Sequence, residues 1–202
     1  MNPRVTAGKY KNMRLEIPNN TRPFTERTKL VLFDTLSHFI QDKVVLDLFC
    51  GAGSIGIEAL SRGASKVVFS DNDDKSVLFL KKNVANLDAD DKSQISIIKS
   101  DYKSLAQKLL FKVDLVVADP PFKNAKDLKY KPLLEVLKET GILVVKLPTQ
   151  GENPDFEGLF DLLDTKLVGN NTLYFLRPTL LKVKVSKNQA ELNHPSPVYA
   201  CS

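Results

Sequence analysis

Three aspartates fall at or near the ends of apolar runs: Asp47 in KVVLDLF, Asp71 in KVVFSD and Asp119 in VDLVVADPPF. The first run leads into GAGSIG, Gly51 to Gly56, which matches G-x-G-x-x-G. Gly51 and Gly53 permit positive φ and let a ligand approach the backbone with no Cβ in the way. Asp71 stands twenty residues beyond Gly51, where a carboxylate can accept hydrogen bonds from both hydroxyls of a ribose. These features suit a nicotinamide dinucleotide and S-adenosylmethionine (SAM) equally, since both carry an adenosine. Asp47 separates them. A dinucleotide fingerprint has an apolar residue at that point, and a carboxylate there repels a pyrophosphate. It suits the ammonium and sulfonium of SAM. The alternative for Asp47 is that it binds backbone amides of the turn and nothing else.

The fourth run ends in Ala118-Asp119-Pro120-Pro121-Phe122. Two adjacent prolines continue neither strand nor helix, so they fix a rigid turn. In such a turn the Asp119 carboxylate and the Pro120 carbonyl can accept both hydrogens of a planar exocyclic amine, while Phe122 stacks on its ring. The nitrogen lone pair is then aimed at a methyl donor, and much of the rate gain comes from holding two reactants in line. A carboxylate at that position also stabilises the positive charge that develops on nitrogen.

These residues need a scaffold that brings strand ends together. RVTAGKY and MRLEI alternate around a Lys-Asn turn and read as a β-hairpin. Thr25 is an N-cap for a helix running to about Ile40, with Leu30, Phe33, Leu36 and Ile40 on one face. Strand and helix patterns then alternate through KVVFSD, a helix from Asp73 to Asn86, QISIIKSD, VDLVVAD, a helix around Pro132 to Lys138, and GILVVKL. Near-continuous apolar strands between helices imply a parallel sheet covered on both faces. DLLDTKLVG and TLYFLRP, joined at Asn170-Asn171, add a hairpin and so an antiparallel final strand. The expected organisation is a basic hairpin and helix over 1–40, an α/β domain over 41–184 and a polar tail over 185–202.

The 202 residues carry 43% hydrophobic and 26% charged side chains, those of an ordinary globular domain, with no apolar run long enough to span a bilayer and no signal-peptide pattern. A monomeric, cytoplasmic protein is the expectation. Cys50 and Cys201 are far apart, which argues against a disulfide framework, and no group of His, Cys and carboxylates has metal-ligand spacing. His38 reads as a surface residue. The net charge of +5 is confined to residues 1–29, which hold seven basic and two acidic side chains. A basic arm on a neutral body suits a phosphate backbone, and a solubilising surface is its plain alternative. Lys123, Lys126, Lys129 and Lys131 could likewise guide a nucleic acid or form a solvated face.

The segments AGKYKNMRLEIP, TRPFTERTKLVLFDTL, LDLFCGAGSIGIEALSRGA, DLVVADPPF and GNNTLYFL together resemble the RsmD family of small-subunit (16S) ribosomal RNA guanine-N2 methyltransferases. That resemblance implies a Rossmann-like, seven-stranded class I methyltransferase sheet with SAM as methyl donor. It implies that Asp47, Phe49, Gly51 and Gly53 line the SAM site, that Asp71 holds the ribose, and that Asp101 meets the adenine amine beside Tyr102. It implies that Asp119, Pro120, Pro121 and Phe122 receive the guanine, in rRNA within the small subunit or an assembly intermediate. Arg4, Lys9, Lys11 and Arg14 of the hairpin, with Arg22 and Arg27, would meet RNA phosphates. Lys146, in the fifth parallel strand, departs from the acidic residue that many relatives carry. Three other readings compete: an adenine-N6 methyltransferase, a non-catalytic nucleic-acid-binding module, and an NAD(P)-dependent oxidoreductase. The first would need room for a target-recognition domain, the second leaves the intact site without a use, and the third leaves Asp47 and the Pro-Pro turn unexplained.

Overall fold

The computed structural model of the chain describes residues 2–19, 24–121, 127–150 and 154–180. Its elements are α1 (Glu26–Thr35), β1 (Val44–Leu48), α2 (Ser54–Ser61), β2 (Lys66–Asp71), α3 (Asp74–Ala85), α4 (Ala89–Ser93) and β3 (Ile95–Lys99). A 3-10 turn (Tyr102–Ser104), α5 (Leu105–Lys108), β4 (Val113–Ala118), α6 (Lys131–Val136), β5 (Leu137–Pro148), β6 (Phe160–Val168) and β7 (Asn171–Pro178) follow. The strands form one seven-stranded sheet in the order β3-β2-β1-β4-β5-β7-β6. β1 to β5 pair in parallel, and β7 runs antiparallel between β5 and β6. The parallel sheet with an antiparallel last strand is the one expected from the sequence.

Alternation along the strands explains the two layers of core. On β4, Leu115 and Val117 face the side of α1 to α3, while Val116 and Ala118 face the side of α5 and α6. The central strands β1, β2 and β4 are therefore mostly apolar and buried along their length, because helices cover both faces of the sheet there. Among the described residues, no helix is long and apolar enough to cross a membrane.

The N-terminal segment differs from its sequence reading in detail. Arg4 and Arg14 make an isolated antiparallel bridge, and Val5 N donates to Met13 O at 3.0 Å, so the hairpin closes without a strand ladder. α1 ends at Thr35 with Leu36 as its C-cap, and turns occupy the residues up to Ile40. Its buried face carries Thr28, Lys29, Leu32 and Phe33, whereas Leu30 is 42% exposed. Phe33, Leu36 and Ile40 are buried as expected, and Leu30 alone of the four stands outward, with Lys29 beside it on the inner face.

Lys29 turns inward because Glu58 waits there. Both side chains are fully buried, 3.3 Å apart. Glu58 also accepts from Thr6 N (2.8 Å), Thr6 Oγ1 (2.6 Å), Ala7 N (3.1 Å) and Arg62 Nε (2.9 Å). The remaining ammonium capacity of Lys29 goes partly to the Arg4 carbonyl. Burial pushes the Glu58 carboxyl up, but the bonds from Thr6 and the charges of Arg62 and Lys29 outweigh it and hold the group below the usual range. Next to it, Gly8 adopts φ 79° with its Cα so close to the Ser61 carbonyl that a Cβ would lie 1.8 Å from that oxygen. The N-terminal segment is thus fastened to α1 and to the end of α2.

Glu58→Gln keeps the shape and removes the charge that Lys29 and Arg62 require. Breaking one partner of a buried ionic network costs about 3–5 kcal/mol. The expected result is a lower urea midpoint at neutral pH with little change in m-value. The Glu58 contribution in the parent protein is present above the unfolded glutamate pKa and is lost as pH falls through the depressed folded value.

Candidate active site

β1 ends at Leu48, and the chain must turn at once into α2. Phe49, Gly51 and Gly53 all take positive φ, at 59°, 53° and 84°. A left-handed aromatic residue is uncommon and strained. Phe49 is held there with its ring 5.3 Å from that of Tyr102. Gly53 has no room for a side chain, since a Cβ would stand 2.4 Å from Leu80 Cδ1. Asn83 of α3 braces the loop: it is buried, donates to Ala52 O and Glu16 O at 2.9 Å each, and accepts from Glu16 N at 2.8 Å.

A cavity of about 620 Å³ opens at the carboxyl ends of β1, β2, β4 and β5. Asp47, Phe49, Gly51, Asp71, Asp119, Pro120 and Pro121 line it, so seven of the sequence-selected residues converge. Gly53 caps α2 behind the wall. Asp101 and Tyr102 are not lining residues. Asp101 caps the 3-10 turn, accepting from Lys103 N at 2.8 Å, while the Tyr102 hydroxyl accepts from Lys129 N at 3.1 Å and anchors the chain that leads to α6. Phe122 and Arg22 lie outside the described residues, as do Lys123 and Lys126.

Each carboxylate of the cavity has its own partner. Asp47 accepts from Gly56 N at 2.8 Å, in the first turn of α2. It therefore does what its plain alternative required, and it lines the cavity as well. Burial drives its pKa well above the usual range, backbone amides oppose the shift, and the charges of Asp71 and Asp119 add to it. Asp71 accepts from Gly51 N at 2.8 Å through Oδ2 and from Asp73 N at 2.9 Å through Oδ1. Both oxygens keep a second lone pair for a diol. Asp119 is paired with Lys146, whose Nζ donates to Oδ2 at 2.5 Å.

The cavity also contains residues that sequence reading left out of the site. Ile17 and Phe24 bring the N-terminal segment over it, and Lys146 and Asn171 come from β5 and β7. Phe24 lies within the TRPFTER stretch expected to meet RNA; its ring is buried and sits 4.6 Å from Lys146 Nζ. The signal for Lys146 was its position, a lone base in an apolar strand end at the level of Asp119. Among the expected RNA contacts, Arg4 pairs with Glu26 at 3.1 Å, and Lys9 with Asp88 and Asp91 at 2.8 and 2.9 Å. Lys11, Arg14 and Arg27 are exposed, and so is His38. Among the described residues, no group of three or more His, Cys, Asp and Glu side chains could hold a metal ion.

Strand order, antiparallel last strand and a ligand cavity beside a glycine turn define a class I methyltransferase. More closely, the chain belongs to the RsmD family: the family model described as Conserved hypothetical protein 95 matches residues 3–177. It is 30% identical over 175 residues to the Bacillus subtilis protein YlbH, spanning 81% of this chain and 91% of that one. It is 32% identical over 145 residues to ribosomal RNA small subunit methyltransferase D of Buchnera aphidicola, spanning 70% of this chain and 67% of the relative. Among solved structures it is similar to the Escherichia coli protein yhhF, with a TM-score of 0.76 and 25% identity over 88% of this chain and 98% of that one.

Proposed function

We propose that this methyltransferase moves the methyl group of SAM to the exocyclic N2 amine of a guanine in small-subunit ribosomal RNA. The observation that carries the reading is the shared cavity, in which Asp119 and the Pro120-Pro121 turn stand with Asp47, Gly51 and Asp71. Four aspartates, Asp47, Asp71, Asp73 and Asp119, against the one ammonium of Lys146 give its lining an acidic excess. Burial is the main reason that the Asp47 carboxyl is raised, and the charges of Asp71 and Asp119 add to it; a cationic ligand relieves that added repulsion and a pyrophosphate worsens it. The Buchnera relative is named for small-subunit rRNA, which supports the same substrate class here.

SAM supplies an electrophilic methyl carbon bonded to a sulfonium. In the reading, Asp71 takes the ribose hydroxyls, and the Gly51 backbone lets the cofactor lie against the loop. Asp119 Oδ1 accepts one N2 hydrogen and the Pro120 carbonyl the other, directing the nitrogen lone pair at the methyl carbon. SAM bound there would supply the methyl group, the C–S electron pair leaving with sulfur as the N–C bond formed, and the N2 proton would pass to water or to Asp119 Oδ1. The amine cannot reach this turn inside a helix, so the guanine must be flipped out. Arg22, Arg27, Lys11 and Arg14 would hold the flanking phosphates. An adenine-N6 acceptor uses the same turn chemistry and is the reading to test against.

Asp119→Ala is expected to lose methyl transfer by at least about 100-fold while labelled SAM still binds and NADH does not. Near-normal turnover on rRNA would remove the role given to the carboxylate. Reversing the charges of Arg22 and Arg27 to Glu is expected to weaken RNA binding and lower the log–log salt slope by roughly 1–2. An unchanged slope makes the arm a solubility feature.

A further inference from the structure

Lys146 is the sole base among the described lining residues of the cavity, which otherwise presents Asp47, Asp71, Asp73 and Asp119. Its place is set by strand register. β4 and β5 pair in parallel with Ala118 opposite Val145, so the next residues, Asp119 and Lys146, emerge side by side at the cavity floor. The Lys146 ammonium lies 2.5 Å from Asp119 Oδ2, and its other side faces the Phe24 ring at 4.6 Å. The lysine side chain is only 15% exposed, so carboxylate and aromatic face together fix where the charge sits. Asp119 Oδ1 has no hydrogen-bond partner among the described residues.

We infer that Lys146 is a positioning residue of the methyl-acceptor site: its ammonium holds Asp119 Oδ2, keeps that carboxylate ionised and leaves Oδ1 turned to the incoming amine. The inference rests on the reading of Asp119 as amine acceptor. Without a counter-ion, burial in this surrounding acts against the ionised carboxylate. The Asp119 side chain is 27% exposed, and Lys146 is the one cation among the described lining residues of the cavity. Burial raises Asp119 and Lys146 opposes that rise by its charge and its hydrogen bond. A protonated Asp119 has lost the acceptor strength that the amine requires. Phe24 contributes by occupying the far side of the ammonium, a cation–π contact that keeps it from swinging into solvent. The N-terminal segment that delivers Phe24 thereby acts on the acceptor site.

The test is a pH titration of the full chain carrying ¹³C-labelled aspartate carboxyls, followed by NMR, with the Asp119 signal assigned through Asp119→Asn. Lys146→Met and Lys146→Arg are compared with the parent, and methyl transfer to rRNA is measured over the same pH range. In Lys146→Met the Asp119 signal is expected to titrate at higher pH than in the parent, and in Lys146→Arg close to it. Turnover of Lys146→Met at neutral pH is expected to fall roughly tenfold or more and to recover as pH rises, because the acid limb follows Asp119. SAM affinity is expected to be equal or higher, since a cation has left the cavity. An unmoved Asp119 midpoint in Lys146→Met overturns the inference whatever the activity does. A moved midpoint with near-normal turnover of Asp119→Asn supports the coupling of Lys146 to Asp119 and overturns the acceptor role instead.

Discussion

Asp47, Asp71 and Asp119 bring three carboxyl groups to the ends of neighbouring strands around one cavity, and the need to compensate them there, above all the buried Asp47, shapes the whole site. Each is met by a different device. The amide of Gly56 at the start of α2 meets Asp47, the amides of Gly51 and Asp73 meet Asp71, and the ammonium of Lys146 meets Asp119. Two of these devices are backbone groups, which cannot move away, and the third is a side chain that needs its own support. What the three leave unbalanced is negative, so the cavity favours a cation. The glycine turn and the parallel register are the means by which the strand ends are brought to one level.

The N-terminal segment belongs to this design through a second ionic hub. Glu58 gathers Lys29, Arg62, Thr6 and Ala7, and so ties the start of the chain to α1 and α2. Asn83 ties Glu16 to the Ala52 carbonyl of the glycine loop. Ile17 and Phe24 then lie over the cavity as a consequence of those anchors. A basic surface and a wall of the site are carried by the same short segment. Lys9 and Arg4 are paired with Asp88, Asp91 and Glu26, so the phosphate contacts we propose fall among the described residues to Lys11, Arg14 and Arg27, which are exposed.

Much of this was legible in the sequence, because strands buried on both faces are written as plain apolar runs and because glycines and prolines mark turns by sterics alone. The seven strands, the glycine turn and the place of Asp119 follow from such local signals. What was not legible depends on partners distant in the chain. Lys29 looks like a solvated lysine until Glu58, far along the chain, is seen to neutralise it. α1 was read with Leu30 on its inner face for that reason, and it stops at Thr35 because turns take over the backbone. Lys146 was noticed as a departure but not as a site residue, since its meaning lies in the register of β5 against β4. Asp101 and Tyr102 came from resemblance and stand in the turn after β3 without lining the cavity.

The central claim is that a guanine amine of rRNA receives a methyl group at the Asp119 turn. The most direct measurement is mass spectrometric mapping of methylated guanines in rRNA from cells with and without this protein, and from cells carrying Asp119→Ala. The account predicts one N2-methylguanine that is present with the parent protein and missing in the other two. Methylation found instead at an adenine N6, or an N2-methylguanine pattern identical in all three, would contradict it.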